Sequence, residues 1–269
     1  MATAVICEFN PFHNGHKYLL ESAKNVLKEP VIAIMSGSFT QRGEVAVCDK
    51  FVRAKSALEN GADLVLELPV VFSLSGAEGF AKAGVAIASA FDCTNHLAFG
   101  SESGDCELLK KSANAVCDEM VQALVRDGMK NGGYYPRELE NAVKTVFGDE
   151  ISSVLCEPNN ILGVEYIKAL NGTGVEPFSV ARTGVAHDSR IAGEGFASAS
   201  HIREMLRNGE NAKKYAPHIP DEITFPENLD RPLLYRLRTM TREDIAKLPD
   251  VGEAVSYTHL RAHETLANL

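Results

Sequence analysis

The sequence has few features of a secreted, membrane-spanning or disulfide-stabilised protein. Its 269 residues include six cysteines, but they form no CxxC pair and no Cys/His spacing typical of a zinc site. The N-terminus has no basic segment before an apolar one, and no apolar run approaches the roughly 18 residues that span a bilayer. These absences predict a cytoplasmic protein with reduced thiols, no membrane partner and no protein-built metal site.

Positive charge is also scarce, because 27 Lys and Arg face 36 Asp and Glu, for a net charge of −9. This balance argues against a surface that binds nucleic acid indiscriminately, but it allows a local basic groove. The sequence contains no GxSxG nucleophile motif, no P-loop and no HExxH pair. A hydrophobic content of 45% is typical of a globular protein with a substantial core.

What is present is an alternation of short apolar strands with helical patterns. Strands are predicted in "TAVICEF", "PVIAIMSG", "ADLVLELPVV", "NHLAFG" and "EPFSVAR", with "ADLVLELPVV" and "NHLAFG" expected to be buried. One long helix is predicted over about Cys106–Met129 and a loop over Asn131–Pro136. The alternation predicts an α/β fold with a doubly wound, Rossmann-like parallel sheet, followed by the start of a helical C-terminal domain.

The predicted organisation has three parts. Residues 1–210 form the α/β domain, and residues 211–253 begin a polar, proline-bearing helical region. Residues 254–269 break off a helical pattern without a stop signal and are predicted to be a non-native tail. No function is therefore assigned to His259 or His263.

The first strand runs directly into "NPFHNGHKYLL", where His13 and His16 are spaced i, i+3 at the start of a helix. Ligands of open α/β sheets bind at the carboxyl ends of the strands. Pro11 is expected to fix the turn, and Gly15 to leave room for a phosphate or base. Free N–H groups at the helix start and two imidazole donors would suit attack on the α-phosphate of a nucleotide.

Two alternatives remain open for this motif: an HxxH metal pair and two helix-capping histidines. Near the other end of the α/β region, "SASHIR" places Ser198, Ser200 and Arg203 at a second helix start. Hydroxyls, N–H groups and a guanidinium together would hold a polyphosphate.

The two motifs together resemble those of the HIGH-type nucleotidylyltransferase superfamily. Five longer strings are more specific: "EFNPFHNGH", "MSGSFTQRGE", "GADLVLELPVVFS", "LAFGSESGD" and "PNNILGVEYIKAL". In this order they resemble the bacterial tRNA(Met) cytidine acetate ligase family, from about Ala4 to Gly252.

The resemblance implies an ATP-dependent ligase that converts acetate to acetyl-adenylate and pyrophosphate. The acetyl group is then transferred to N4 of the wobble cytidine of elongator tRNA(Met), with AMP released. The implied partners are ATP, acetate and this tRNA, and Mg²⁺ is expected because it accompanies ATP. The oligomeric state is not predicted.

The resemblance also implies residue roles, with His13, His16 and Arg203 as the catalytic residues. Gly100, Asn160 and Arg182 would contact the nucleotide, and Ser198 and Ser200 its phosphates. From the sequence alone, Gly100 could equally be a turn glycine and Asn160 a helix cap. The implied nucleotide loop consists of Ile6, Cys7, Glu8, Phe9, Asn10, Pro11, Phe12, His13, Asn14, Gly15, His16, Lys17, Tyr18 and Leu19.

Further residues are candidates on weaker grounds. His187 and Asp188 could form a base–orienter pair, although the family usually has an aromatic residue where this chain has Ala186. Stacking of a splayed RNA base could involve one of Phe12, Phe39 and Phe51. A basic cluster that could bind the tRNA backbone comprises Gln41, Arg42, Lys50, Arg53 and Lys55.

Two other functions remain possible. A plain nucleotidylyltransferase acting on a phosphorylated metabolite would explain both phosphate motifs, and a non-catalytic RNA-binding relative would retain the fold. The resemblance also implies that family members are longer. It therefore predicts a C-terminally truncated chain that binds ATP and could activate acetate but acetylates tRNA weakly or not at all.

Overall fold

The computed structural model describes residues 1–182 and 195–248. Its centre is a five-stranded sheet in the order β3-β2-β1-β4-β5, with every neighbouring pair parallel. The strands are β1 Ala2–Cys7, β2 Val31–Ser36, β3 Leu64–Leu68, β4 Thr94–Ser101 and β5 Glu176–Ala181.

Helices connect the strands and cover both faces of the sheet. The first seven are α1 Asn14–Leu27, α2 Lys50–Glu59, α3 Val70–Ser73, α4 Ala77–Ser89, α5 Cys106–Val116, α6 Glu119–Lys130 and α7 Tyr135–Phe147. The others are α8 Asp149–Ser153, α9 Pro158–Leu170, α10 Ala199–Arg207, α11 Asp230–Thr239 and α12 Arg242–Ala246, with 3-10 turns at Val154–Cys156 and Pro226–Leu229.

The strand order confirms the doubly wound parallel fold. The chain builds outward from β1 through β2 to β3, then crosses to the other side of β1 for β4 and β5. The order therefore reverses between β1 and β4, and a crevice at the carboxyl ends of these strands is where such sheets bind ligands. One face of the sheet packs under α1 and α2, and the other under α4, α5 and α9.

Three details of the predicted elements are wrong. The strand β3 is not buried, because it lies at the sheet edge and its Leu64 is 41% exposed. The predicted long helix is two helices, since Asp118 caps α6 by accepting the N–H groups of Met120 and Val121. The predicted loop over 131–136 ends early, because α7 begins at Tyr135.

The chain divides into two compact units, Met1–Thr224 and Phe225–Leu269. The segment 211–224 belongs to the first unit, where Ala212 and Ala216 pack with Ile202. The expected boundary at residue 210 thus lies inside this unit, and the tail predicted at 254–269 is outside the described residues. No helix among the described residues is long and apolar enough to cross a bilayer.

A buried arginine joins the carboxyl ends of β1 and β2. Arg53 is 1% exposed, and its guanidinium donates to the carbonyl oxygens of Glu8 at 2.6 Å, Ser36 at 3.1 Å, Cys48 at 3.2 Å and Gly37. The prediction that Arg53 belongs to an RNA-binding surface is therefore wrong. A guanidinium fits here because it carries five N–H donors in a fixed plane.

We expect Arg53→Met to lower the free energy of unfolding by at least about 3 kcal/mol, because four buried carbonyl groups would lose their donor. Lys55→Met is the matched control on the same helix, since Lys55 is 76% exposed and should change stability by about 0.5 kcal/mol or less. Urea unfolding of the three proteins measures the difference. A loss below about 1 kcal/mol for Arg53→Met would contradict the proposed anchoring.

Candidate active site

A cavity of about 370 Å³ opens at the sheet's switch point. Its walls come from the turn after β1, the start of α1, the ends of β4 and β5, and the starts of α9 and α10. The 38–47 segment forms a further wall as a short hairpin, with Phe39 bridged to Val45. Elements far apart in the sequence thus meet around one space large enough for a small ligand.

The two histidines cap α1 and face each other across a stacked contact. His13 is the N-cap residue, and its Nδ1 accepts the Gly15 N–H at 3.0 Å, while His16 Nδ1 accepts the His13 N–H at 3.3 Å. The ring centroids are 3.6 Å apart with an interplanar angle of 24°. Because each Nδ1 is an acceptor, each neutral ring carries its proton on Nε2. The capping alternative is thus confirmed, and capping leaves two Nε2–H donors for a ligand.

The geometry corrects two expectations about the start of α1. A Cβ on Gly15 would lie 2.9 Å from His13 Cε1, so the glycine makes room for the imidazole rather than for a ligand. The first N–H groups are not free either. Asn14 N–H donates to the Tyr215 carbonyl at 2.9 Å, Gly15 N–H to His13 Nδ1, and the N–H groups of His16 and Lys17 to the His13 carbonyl. Anion binding at this end must therefore use side chains.

Both imidazoles are held in the neutral form. Burial, with the positive charges of Arg182 and Arg203, lowers the pKa of His13 to about 3. Burial, with His13 and Arg182 nearby, also lowers the pKa of His16 well below its usual value. Near pH 7 the pair therefore acts as two uncharged hydrogen-bond donors beside two guanidinium groups.

Arg182 follows β5 and brings a cation to the cavity. Its backbone N–H donates to the Ser101 carbonyl at 2.9 Å. Its side-chain Nε is buried and has no hydrogen-bond partner among the described residues. Burial lowers the pKa of Arg182, and Glu102 opposes this shift. Gly100 lies alongside, where an added Cβ would make ordinary contact with Arg182 Cγ at 3.5 Å. A half-buried guanidinium whose Nε–H is unpaired among the described residues is a suitable anion ligand.

Arg203 links α10 to the turn after β1. Its Nη1 donates to the Asn10 carbonyl at 2.8 Å, its Nη2 to Ser200 Oγ at 3.4 Å, and Glu44 Oε2 lies 3.9 Å from Nη2. Ser198 caps α10 by accepting the His201 N–H at 3.1 Å. The two predicted phosphate motifs are therefore adjacent in space.

Asn160 lies beside the site rather than on its lining. It is 4% exposed, its side-chain Oδ1 accepts the Ser103 N–H at 3.1 Å, and its backbone N–H donates to Glu102 Oε2 at 2.9 Å. The N-cap of α9 is Glu157, so the helix-cap alternative for Asn160 is wrong. Its neighbour Asn159 lines the cavity and donates to Glu102 Oε1 at 2.6 Å.

Most of the predicted site residues line the cavity. Those that do are Ile6, Cys7, Glu8, Phe9, Asn10, His13, Gly15, His16, Tyr18, Leu19, Gly100, Arg182, Ser198, Ser200 and Arg203. Those that lie outside the lining are Pro11, Phe12, Asn14, Lys17 and Asn160. The suggested pair His187 and Asp188 lies outside the described residues.

The cavity also has lining residues that the sequence did not point to. Phe80 on α4, Phe99 on β4 and Tyr166 on α9 form an apolar wall of the cavity. In the sequence they are ordinary apolar positions of strands and helices. Only Phe99 had a sequence signal for a place in the site, because it immediately precedes Gly100 near the carboxyl end of a strand.

Comparison with known proteins agrees with the resemblance that the motifs indicate. The family described as HIGH Nucleotidyl Transferase matches residues 1–269. A tRNA(Met) cytidine acetate ligase of Clostridium tetani (strain Massachusetts / E88) is 34% identical over 293 residues, which cover 99% of this chain and 72% of the relative. The chain belongs to this family of HIGH nucleotidyl transferases.

Other members of the family extend the comparison. The tRNA(Met) cytidine acetate ligase of Thermoanaerobacter sp. (strain X514) is 40% identical over 228 residues, 81% of this chain but 57% of that relative. The chain thus spans little more than half the length of that curated relative.

Two solved structures share the fold. Thermotoga maritima TmcAL in an apo form has a TM-score of 0.87 at 32% identity, covering 96% of this chain and 67% of that one. The same protein bound with alpha-thio ATP has a TM-score of 0.85 at 33% identity, covering 96% and 66%.

The low pKa of His13 predicts a specific dependence of stability on pH. The unfolded chain takes up a proton on this imidazole below about pH 6.5, whereas the folded chain does not until about pH 3. Folding stability therefore falls as the pH drops through this window, by about 2 kcal/mol between pH 7 and pH 5 for His13 alone.

His13→Asn isolates this contribution, because the Asn oxygen can replace Nδ1 as the cap acceptor without titrating. We expect the stability difference between the variant and the parent to shift in the variant's favour by about 2 kcal/mol from pH 7 to pH 5. Urea unfolding at both pH values measures it. A difference that stays constant would show that the folded imidazole titrates normally.

Proposed function

We propose that this chain uses ATP to activate acetate as acetyl-adenylate. A carboxylate oxygen of acetate attacks the α-phosphorus, an O–P bond forms, the bond to the β-phosphate oxygen breaks, and pyrophosphate leaves. The observation that carries the proposal is the grouping of two Nε2–H donors with the guanidinium of Arg182, whose buried Nε has no hydrogen-bond partner among the described residues. This grouping can bind an α-phosphate and the charge that it gains during attack.

ATP is supported as the nucleotide by a neighbour in the same family, which was solved with alpha-thio ATP. We propose that Arg182 and Arg203 contact its phosphates, with Ser198 and Ser200 at the start of α10 nearby. Among residues 1–182 and 195–248, no group of three His, Cys, Asp or Glu side chains could hold a metal ion. Mg²⁺ would therefore arrive as part of the MgATP substrate, with Glu8 and Glu44 as the carboxylates on the lining.

We further propose that the acetyl group passes to N4 of the wobble cytidine of elongator tRNA(Met). The amine nitrogen forms a bond to the acyl carbon, AMP leaves, and the amine loses a proton. The names of the relatives support this acceptor. Because the chain spans 57% of one such relative, the transfer step is proposed for the whole protein and not for this stretch alone.

The described surface offers some of the charge that RNA binding needs. Arg42 is exposed at the tip of the 38–47 hairpin and also lines the cavity. Phe51 is 74% exposed, unlike buried Phe12 and partly buried Phe39. Lys50 and Lys55 are paired with Glu67 and Glu59, which reduces the positive charge that they offer to RNA.

In the second unit, the exposed helix α11 and the start of α12 carry Arg231, Arg236, Arg238 and Arg242.

Acetate-dependent ATP–pyrophosphate exchange tests the activation step. We expect label to pass from pyrophosphate into ATP only when acetate is present, because the reverse reaction requires acetyl-adenylate. Exchange that needs a phosphorylated metabolite instead would indicate a plain nucleotidylyltransferase. ATP binding without exchange under any acid would favour a non-catalytic relative.

Two substitutions at His16 separate its structural and chemical roles. His16→Asn keeps an acceptor for the His13 N–H but removes the Nε2 donor, so exchange should fall by about 10²- to 10³-fold with stability retained. His16→Gln can place an N–H near the Nε2 position but loses the cap acceptor. It should retain more exchange while losing about 1 kcal/mol of stability. The reverse order of activities would show that His16 acts through the helix cap alone.

A further inference from the structure

The cavity lining is of two chemical kinds. His13, His16, Arg182 and Arg203 provide donors and positive charge. Ile6, Phe80 and Phe99, all less than 7% exposed, provide hydrocarbon. A triphosphate accounts for the charged lining, whereas the apolar lining needs a ligand, or part of one, with an apolar surface.

Tyr166 places one hydroxyl in this apolar wall. Its side chain lies on α9, is 4% exposed and lines the cavity, and its ring lies 5.5 Å from that of Phe99. Within the part of the chain that the structure describes, the hydroxyl makes no hydrogen bond. It is not one of the fully buried polar atoms that lack a partner, so it is open to the cavity. Burial, with Cys7 and Glu8 nearby, raises the pKa of Tyr166, so the group remains protonated. A hydroxyl that is open to a cavity and unpaired among the described residues is placed to donate to a ligand acceptor.

Close helix packing fixes the shape of the wall. A Cβ on Gly163 of α9 would lie 2.8 Å from Phe99 Cε2, and one on Gly84 of α4 would lie 2.5 Å from Ile6 Cδ1. The two glycines therefore let both helices press directly on the side chains that line the cavity. A wall backed in this way cannot widen easily for a longer ligand.

We propose that Tyr166, Ile6, Phe80 and Phe99 form the subsite for the small carboxylic acid, with the Tyr166 hydroxyl donating to one oxygen of the acid or of its acyl-adenylate. The apolar side chains would contact the methyl group, and the second carboxylate oxygen would be left to attack the α-phosphorus. This inference rests on the proposed activation of acetate.

Electrostatics supports a donor at this position. Glu8 borders the same region, and its Oε1 accepts the Gln41 N–H at 2.6 Å. Its negative charge opposes a bound carboxylate, so a hydrogen bond from Tyr166 would offset part of this repulsion.

Tyr166→Phe tests the subsite, since it removes only the hydroxyl. The fold should be unaffected, because this hydroxyl makes no hydrogen bond to the described residues. Calorimetry would compare binding of 5′-O-(N-acetylsulfamoyl)adenosine, a stable analogue of acetyl-adenylate, with binding of AMP. We expect the variant to bind the analogue about 10- to 100-fold more weakly while AMP affinity is unchanged. Tyr135→Phe, on α7, is the control and should change neither affinity.

Two outcomes would overturn the proposal. Equal weakening of both ligands would place Tyr166 against the nucleotide, and no change in either would remove it from the site. The result does not depend on turnover. If wild-type exchange proves independent of acetate, the proposed activation fails, whereas an unaltered analogue-to-AMP ratio in the variant rejects the acid subsite alone.

Discussion

The reciprocal hydrogen bonds between two imidazoles and the first turn of α1 determine the chemistry available in this cavity. Each Nδ1 accepts a backbone N–H, so each ring has a fixed orientation and a fixed tautomer. Glycine at position 15 is a condition of this arrangement, because a side chain there would displace the His13 ring. A helix cap and a pair of ligand donors are therefore the same two side chains.

The rest of the site is built onto this cap. Arg203 donates to the Asn10 carbonyl and so attaches α10 to the turn that carries His13. The side-chain amide of Asn14 donates to the carbonyls of Gly195 and Lys214, so the segments before and after α10 are also attached to the start of α1. Arg53 links the carboxyl ends of β1 and β2 by donating to the carbonyls of Glu8 and Ser36. Strong positive charge can then lie next to the imidazoles, because neutral rings are not repelled by it.

Local sequence signals were sufficient for the sheet, the histidine turn and the start of α10. They were insufficient where the outcome depends on distant neighbours. "LVLEL" is apolar whether a strand is central or at an edge, and Arg53 looks like a surface residue until four carbonyls are seen around it. Tyr166 lies in an apolar helix, and its sequence gives no sign that its hydroxyl reaches a cavity. The break before α6 had a signal, the Asp118 cap, that the helical periodicity obscured.

The neutral histidines imply that the cavity offers hydrogen-bond donors to a bound phosphate and does not exchange protons with it. In the proposed activation, acetate is already an anion near neutral pH and pyrophosphate can leave as one, so the first bond exchange has no proton to move. Imidazoles that resist protonation suit this situation, because they cannot become a second pair of cations that would bind product tightly. In the proposed reaction, the burial that keeps His13 and His16 uncharged would also favour release of pyrophosphate.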